Sequence, residues 1–235
     1  MKTKTKFAVA AVCAALVLLL AVLVLKVDVA PTGPEGTVIG LSRLNGAVFA
    51  FTGVHTDLYE LTQMLGYFAL LCGFFFALLG LIQLIKRKNL FKVDVEILAL
   101  GVLFIVTIVL YALFNKVTVN CRPVMLPDET EPEASFPSSH TMLACVMFGG
   151  IMTIMRKYVK RDALRTALKA VCAVLIVVTV CCRLASGAHW YTDIIAGLLI
   201  SAALLAVFSG VLDILRKKRR AARKAARAAR EAEAE

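Results

Sequence analysis

Six apolar runs separated by short polar or basic segments constrain this 235-residue chain more than any other feature. The first, Phe7 to Leu25, is an unbroken stretch of 19 residues. About 20 apolar residues in a helix span the ~30 Å hydrocarbon core of a bilayer. The later runs cover about 61–85, 93–114, 140–155, 170–182 and 190–215. The fourth is short, so its first turn is expected at headgroup level. Hydrophobic residues make up 60% of the chain and mean hydropathy is +0.82, against an apolar share of ~45–50% in soluble domains. The expected fold is all-α, a polytopic membrane protein with six transmembrane helices. Its expected units are a first helix and interfacial segment (1–60), a transmembrane core (61–215) and a basic cytoplasmic tail (216–235).

The first run follows Lys2, Lys4 and Lys6. It exceeds the ~7–15 apolar residues of a signal peptide, which favours an uncleaved helix; cleavage near Ala30 would leave the later topology unchanged. Pro31, Gly33, Pro34 and Gly36 then mark a turn-rich stretch. Residues 37–52 interleave apolar side chains with Ser42, Arg43 and Asn45, as in an amphipathic segment lying on the membrane surface. His55 has no flanking partner motif and reads as an interfacial loop residue rather than a ligand. Beyond Arg216 the chain is rich in Ala, Arg and Glu, and reads as a charged helix or a disordered tail.

The net charge of +11 would ordinarily suggest nucleic acid. Here the basic residues fall between the apolar runs, so a nucleic-acid partner is not expected. With both termini inside, 22 of the 27 Lys and Arg residues lie on the cytoplasmic side, including a basic linker at 156–169. This obeys the positive-inside rule. The exceptions are Lys26, Arg43, Lys116, Arg122 and Arg183. The seven cysteines form no Cys-x-x-Cys pair, most sit within apolar runs, and no disulfide is assigned. Cys121 is expected to be the most exposed.

Three of the five exceptions accompany the chain's unusual polar residues, and the topology carries all three clusters to the outer face. The first cluster contains Lys116 and Arg122, a point charge and a planar fork suited to phosphate oxygens. The second is Pro137-Ser138-Ser139-His140, where a serine can cap the next helix and the helix N-terminus offers free N–H groups to an anion. The third runs from Cys182 to Asp193 and holds Arg183, His189 and Asp193. His189 and Asp193 are four apart, so on a helix they share a face and the carboxylate can orient the imidazole as a nucleophile. Singly, each cluster also reads as loop charges, a helix cap or a structural hydrogen bond. Ionisable groups at the mouths of membrane helices are costly, so their convergence calls for a function.

The three clusters resemble the motifs of the type 2 phosphatidic acid phosphatase superfamily, whose members include membrane lipid phosphatases and haloperoxidase-like enzymes. Its third motif, Ser-Arg-x5-His-x3-Asp, is matched at Arg183, His189 and Asp193, with Cys182 in place of the serine. Its second, Pro-Ser-Gly-His, appears at Pro137 to His140, with Ser139 in the glycine position. Its first, Lys-x6-Arg-Pro, appears one residue short, between Lys116 and Arg122. The resemblance covers 93–215 and implies a helical-bundle catalytic core. It implies that His189 attacks phosphorus to form a phosphohistidine, that Asp193 orients it, and that His140 protonates the leaving group and then activates water. Lys116, Arg122, Ser138, Ser139 and Arg183 would hold the phosphate, with no metal and no other cofactor.

The function implied is removal of phosphate from a membrane lipid such as phosphatidate, phosphatidylglycerophosphate or polyprenyl diphosphate at the outer face. A phosphotransferase acting on an alcohol or sugar, and a non-catalytic lipid-binding protein, are the alternatives. The acidic run Asp128, Glu129, Glu131 and Glu133 is at odds with an anionic substrate if it faces the site. The sequence leaves the oligomeric state open.

Overall fold

A computed structural model describes residues 1–125 and 130–232. Asp128 and Glu129 of the acidic run lie outside the described residues. Among the described residues there are seven α-helices: α1 (Thr3–Lys26), α2 (Ser42–Thr52), α3 (Thr56–Arg87), α4 (Val95–Lys116), α5 (Ser139–Tyr158), α6 (Asp162–Ala185) and α7 (Tyr191–Ala232). The six expected spans correspond to α1 and α3 through α7, and α2 is the core of the expected interfacial segment. Among the described residues the only β-type pairings are two isolated bridges, Ala30 with Ile39 and Cys121 with Ala134.

Among the described residues five helices, α1, α3, α4, α6 and α7, are long and apolar enough to cross a membrane. The sixth, α5, is the centre of the bundle, packed against α3, α4, α6 and α7. Eleven of its 20 residues are buried, so protein rather than lipid covers it, and it does not need a lipid-facing composition. Bare backbone permits its close contacts. A Cβ on Gly149 would lie 2.6 Å from Leu205 Cδ1, and one on Gly150 would lie 2.8 Å from Leu100 Cδ1. Small residues at helix crossings serve the same purpose throughout membrane bundles.

One boundary differs from expectation. The basic linker at 156–169 is largely helical, because α6 begins at Asp162, where an acidic first turn suits the positive helix end. The tail beyond Arg216 continues α7 as far as Ala232, the helical one of its two expected readings, in keeping with the helix propensity of Ala, Arg and Glu. α1 packs along α7, where Lys6 Nζ lies 2.7 Å from Asp213 Oδ2 and 2.6 Å from Ser209 Oγ.

The two ends of the bundle carry different chemistry. At one end the buried Glu96 receives Lys157 at 2.6 Å and Arg216 at 3.2 Å, which offsets the cost of placing a carboxylate there. Asp94 beside it contacts Lys157 at 3.1 Å and Arg87 at 3.2 Å. The three motif loops meet at the opposite end. All seven cysteines are free thiols. Cys121 is only half-buried and Cys181 is the exposed one. Cys121 is drawn inward because its carbonyl accepts the Trp190 indole N–H at 2.7 Å.

Candidate active site

His189 lies outside any helix, in the 186–190 turn between α6 and α7. Gly187 allows that turn: its φ is +75°, and a Cβ there would lie 3.0 Å from the Gly53 carbonyl. Helix α7 starts two residues after His189, so His189 and Asp193 do not share a helix face as expected. Instead they straddle the helix start. Asp193 Oδ2 accepts the Trp190 amide at 2.9 Å, the reciprocal bond of a capping box. The same oxygen lies 3.6 Å from His189 Nδ1, too far for a hydrogen bond but in the direction that leaves Nε2 free. One carboxylate thus closes the helix end and faces the imidazole, and the four-residue spacing follows from that double use. His189 is 4% exposed. Burial, then the Arg183 and Arg122 cations, hold its imidazole well below the usual range, so it is a neutral base.

His189 lines a pocket of ≈ 320 Å³ with Tyr111, Arg122, Glu133, Ser135, Phe136 and Ser139 among the walls. Arg122 reaches the pocket through the bridge between Cys121 and Ala134. Its amide donates to the Glu133 carbonyl at 2.9 Å, and its guanidinium lies 3.1 Å from the Glu133 carboxylate. Glu133 is therefore a member of the acidic run that faces the site, and it does so paired with a cation. Ser135 donates its hydroxyl to the Cys121 carbonyl at 3.0 Å, fixing the same loop.

The second motif is docked onto α7. The Ser138 amide donates to the Asp193 carbonyl at 3.0 Å, and Gly197 lets the Ser138 carbonyl approach to 2.9 Å of where a Cβ would sit. Ser138 is fully buried, and among the described residues its hydroxyl has no protein partner and makes no helix cap. Ser139 lines the pocket instead. His140 lines a neighbouring cavity of ≈ 420 Å³, which shares Tyr111 and Ser139 with the first. Its ring rests against α3 at Gly66, where a Cβ would come within 2.9 Å of its Cδ2.

Besides Ser138, two expected phosphate-binding residues do not line this pocket. Arg183 is 1% exposed and does not line the pocket. It donates to Thr62 Oγ1 at 2.9 Å and stacks over the Tyr59 ring at 4.8 Å, both on α3. Lys116 is the last residue of α4, is exposed, and does not line the pocket. The missing residue in the first motif leaves it at the helix end while Arg122 turns inward. Sequence reasoning missed Tyr59, Thr62, Ser135 and Gly66, which belong to no motif.

The PAP2 superfamily model matches residues 96–216, a range that holds all three motifs. The chain belongs to the PAP2 superfamily. The fold agrees. A solved structure, the first transmembrane PAP2-type phosphatidylglycerolphosphate phosphatase from Bacillus subtilis, superposes with a TM-score of 0.60 at 18% identity, covering 88% of this chain and 96% of that one. No curated protein sequence matches. Tyr59, Thr62 and Gly66, which contact Arg183 and His140 in this PAP2 protein, all precede residue 96 and lie outside the matched range.

Proposed function

We propose that this multi-pass PAP2 protein removes phosphate from a membrane lipid through a phosphohistidine at His189. The observation that carries the reading is the buried His189 backed by Asp193, in a pocket shared with Arg122. With Nδ1 turned to the carboxylate, Nε2 is the atom that attacks phosphorus. A P–N bond forms as the bond to the lipid oxygen breaks, and Asp193 stabilises the imidazolium that results. Arg122, with the Ser139 end of α5, balances the charge on the phosphate oxygens. Arg183 adds positive potential from its seat on α3. His140 supplies the proton to the leaving alkoxide. It then takes one from water, which cleaves the P–N bond and releases inorganic phosphate.

The charge distribution supports cytoplasmic termini and an extracytoplasmic site. There the lipid tail stays in the bilayer while the headgroup enters the pocket. Phosphatidate, phosphatidylglycerophosphate and polyprenyl diphosphate are the candidate substrates, and the proposed chemistry needs no metal. The test is a phosphate-release panel with purified protein across these lipids, with and without EDTA, beside His189→Ala. Release that survives EDTA and disappears in the variant, together with a trapped labelled phosphohistidine in the parent, is the expected result. Turnover by His189→Ala would sink the nucleophile assignment.

A further inference from the structure

We infer that Asn45 of α2 is a positioning residue for the His189 loop, tying the start of α7 to the loop that carries Arg122. This rests on the phosphoryl-transfer reading above. Asn45 is 0% exposed, and a buried amide without partners costs about 1–3 kcal/mol. Its partners lie at two places. Nδ2 donates to the Gly40 carbonyl at 2.9 Å and to Thr192 Oγ1 at 3.0 Å, while Oδ1 accepts the Thr192 amide at 3.2 Å.

The Thr192 amide is one of the first-turn donors that no helix can satisfy internally. Asp193 already takes the neighbouring Trp190 amide. The start of α7 is thus capped twice, once by its own carboxylate and once by an asparagine from a different helix. The chain of bonds continues, because the Gly40 amide donates to Asn120 Oδ1 at 3.2 Å. Gly40 itself has no freedom to drift, since a Cβ there would lie 1.5 Å from the Val24 carbonyl oxygen. Asn120 is two residues before Arg122, and Thr192 is three after His189. The Asn120–Gly40–Asn45–Thr192 series therefore works beside the direct Trp190 indole bond to the Cys121 carbonyl in holding the separation between the Arg122 guanidinium and His189. Residues 40 and 45 lie outside the matched range of 96–216.

In-line attack needs reacting atoms about 3–3.5 Å apart, and a 1 Å misplacement costs about 10²-fold. Asn45→Ala should lower kcat about 10- to 100-fold with KM within about two-fold, by the same alignment argument. Asn45→Asp keeps the acceptor for the Thr192 amide and loses both donated bonds, so it should fall between. The second readout is carbethoxylation by diethyl pyrocarbonate, mapped by mass spectrometry, with the exposed His55 as internal reference. Freed from its brace, His189 should react several-fold faster relative to His55. An unchanged kcat per folded molecule, or an unchanged His189-to-His55 ratio, overturns the inference. If Asn45→Ala does not fold, Asn45→Asp decides by the same two readouts. If the parent protein releases no lipid phosphate, the functional reading fails, while the carbethoxylation ratio still decides the role of Asn45.

Discussion

Glu133 holds a carboxylate oxygen 3.1 Å from the Arg122 guanidinium on the wall of the His189 pocket. In the proposed chemistry a substrate phosphate uses that same guanidinium. The Glu133 side chain is 55% exposed, so it is free to rotate away, and a partly exposed pair of this kind is worth about 0.2–1 kcal/mol. Glu133 is thus a weak resident competitor for the proposed phosphate site. Glu133→Gln removes its charge and keeps its shape. Inorganic phosphate should then inhibit at a concentration lower by up to about five-fold, the ratio that the pair energy allows. Weaker inhibition in the variant would instead make Glu133 the residue that orients Arg122.

Asp193 combines two tasks that one substitution separates. Asp193→Asn retains an oxygen for the Trp190 amide, so the start of α7 stays closed and thermal stability should change little. The negative charge facing the imidazolium is lost. By analogy with other oriented histidines, kcat should fall by about 10²–10⁴-fold. Phosphohistidine trapping in single-turnover experiments is the direct measurement. Formation at the parent rate would mean that Asp193 serves only as a helix cap.

The membrane spans were legible because a bilayer imposes length and composition on each crossing helix. The loops that meet at the site followed from topology and from the Arg183, His189 and Asp193 spacing. The helical geometry assumed for His189 and Asp193 was not correct, since spacing alone does not reveal that α7 starts between them. Nor does a motif foretell depth: Arg183 is a perfect match to its position yet sits against Thr62 and Tyr59 rather than on the pocket wall. Those partners, and Asn45, lie in the first 62 residues. There a single polar side chain amid apolar neighbours looks the same whether it faces lipid headgroups or another helix. Packing between distant elements decides that.

The protonation of His189 provides a pH test with a defined sign. Burial and the two arginines hold its pKa below the ordinary value of about 6.5. The free base therefore persists as pH falls through about 6.5, and protonation begins only below it. The acid limb of kcat/KM should lie on that lower side. Arg122→Gln removes one of the two cations and should move the limb towards higher pH. Comparing parent and variant on one lipid cancels the titration of the substrate phosphate. A limb at the same pH in both would mean that the Arg122 charge does not reach His189.

Gly66 offers the sharpest separation of stability from activity. It lies in the interior of α3, where Ala is favoured over Gly by about 1 kcal/mol. Gly66→Ala also places a Cβ about 2.9 Å from His140 Cδ2, so the imidazole must shift. The ring is a side chain beside a ≈ 420 Å³ cavity and has room to move. Thermal stability should therefore hold or rise slightly. The proposed task of His140 is to protonate a leaving alkoxide, and a displaced acid matters only when the leaving group needs a proton. Turnover of a lipid phosphate should fall about 10²-fold, the usual worth of a positioned general acid. Turnover of an aryl phosphate with an acidic phenol should change far less. Equal losses on both substrates would assign His140 to phosphate binding rather than to proton transfer.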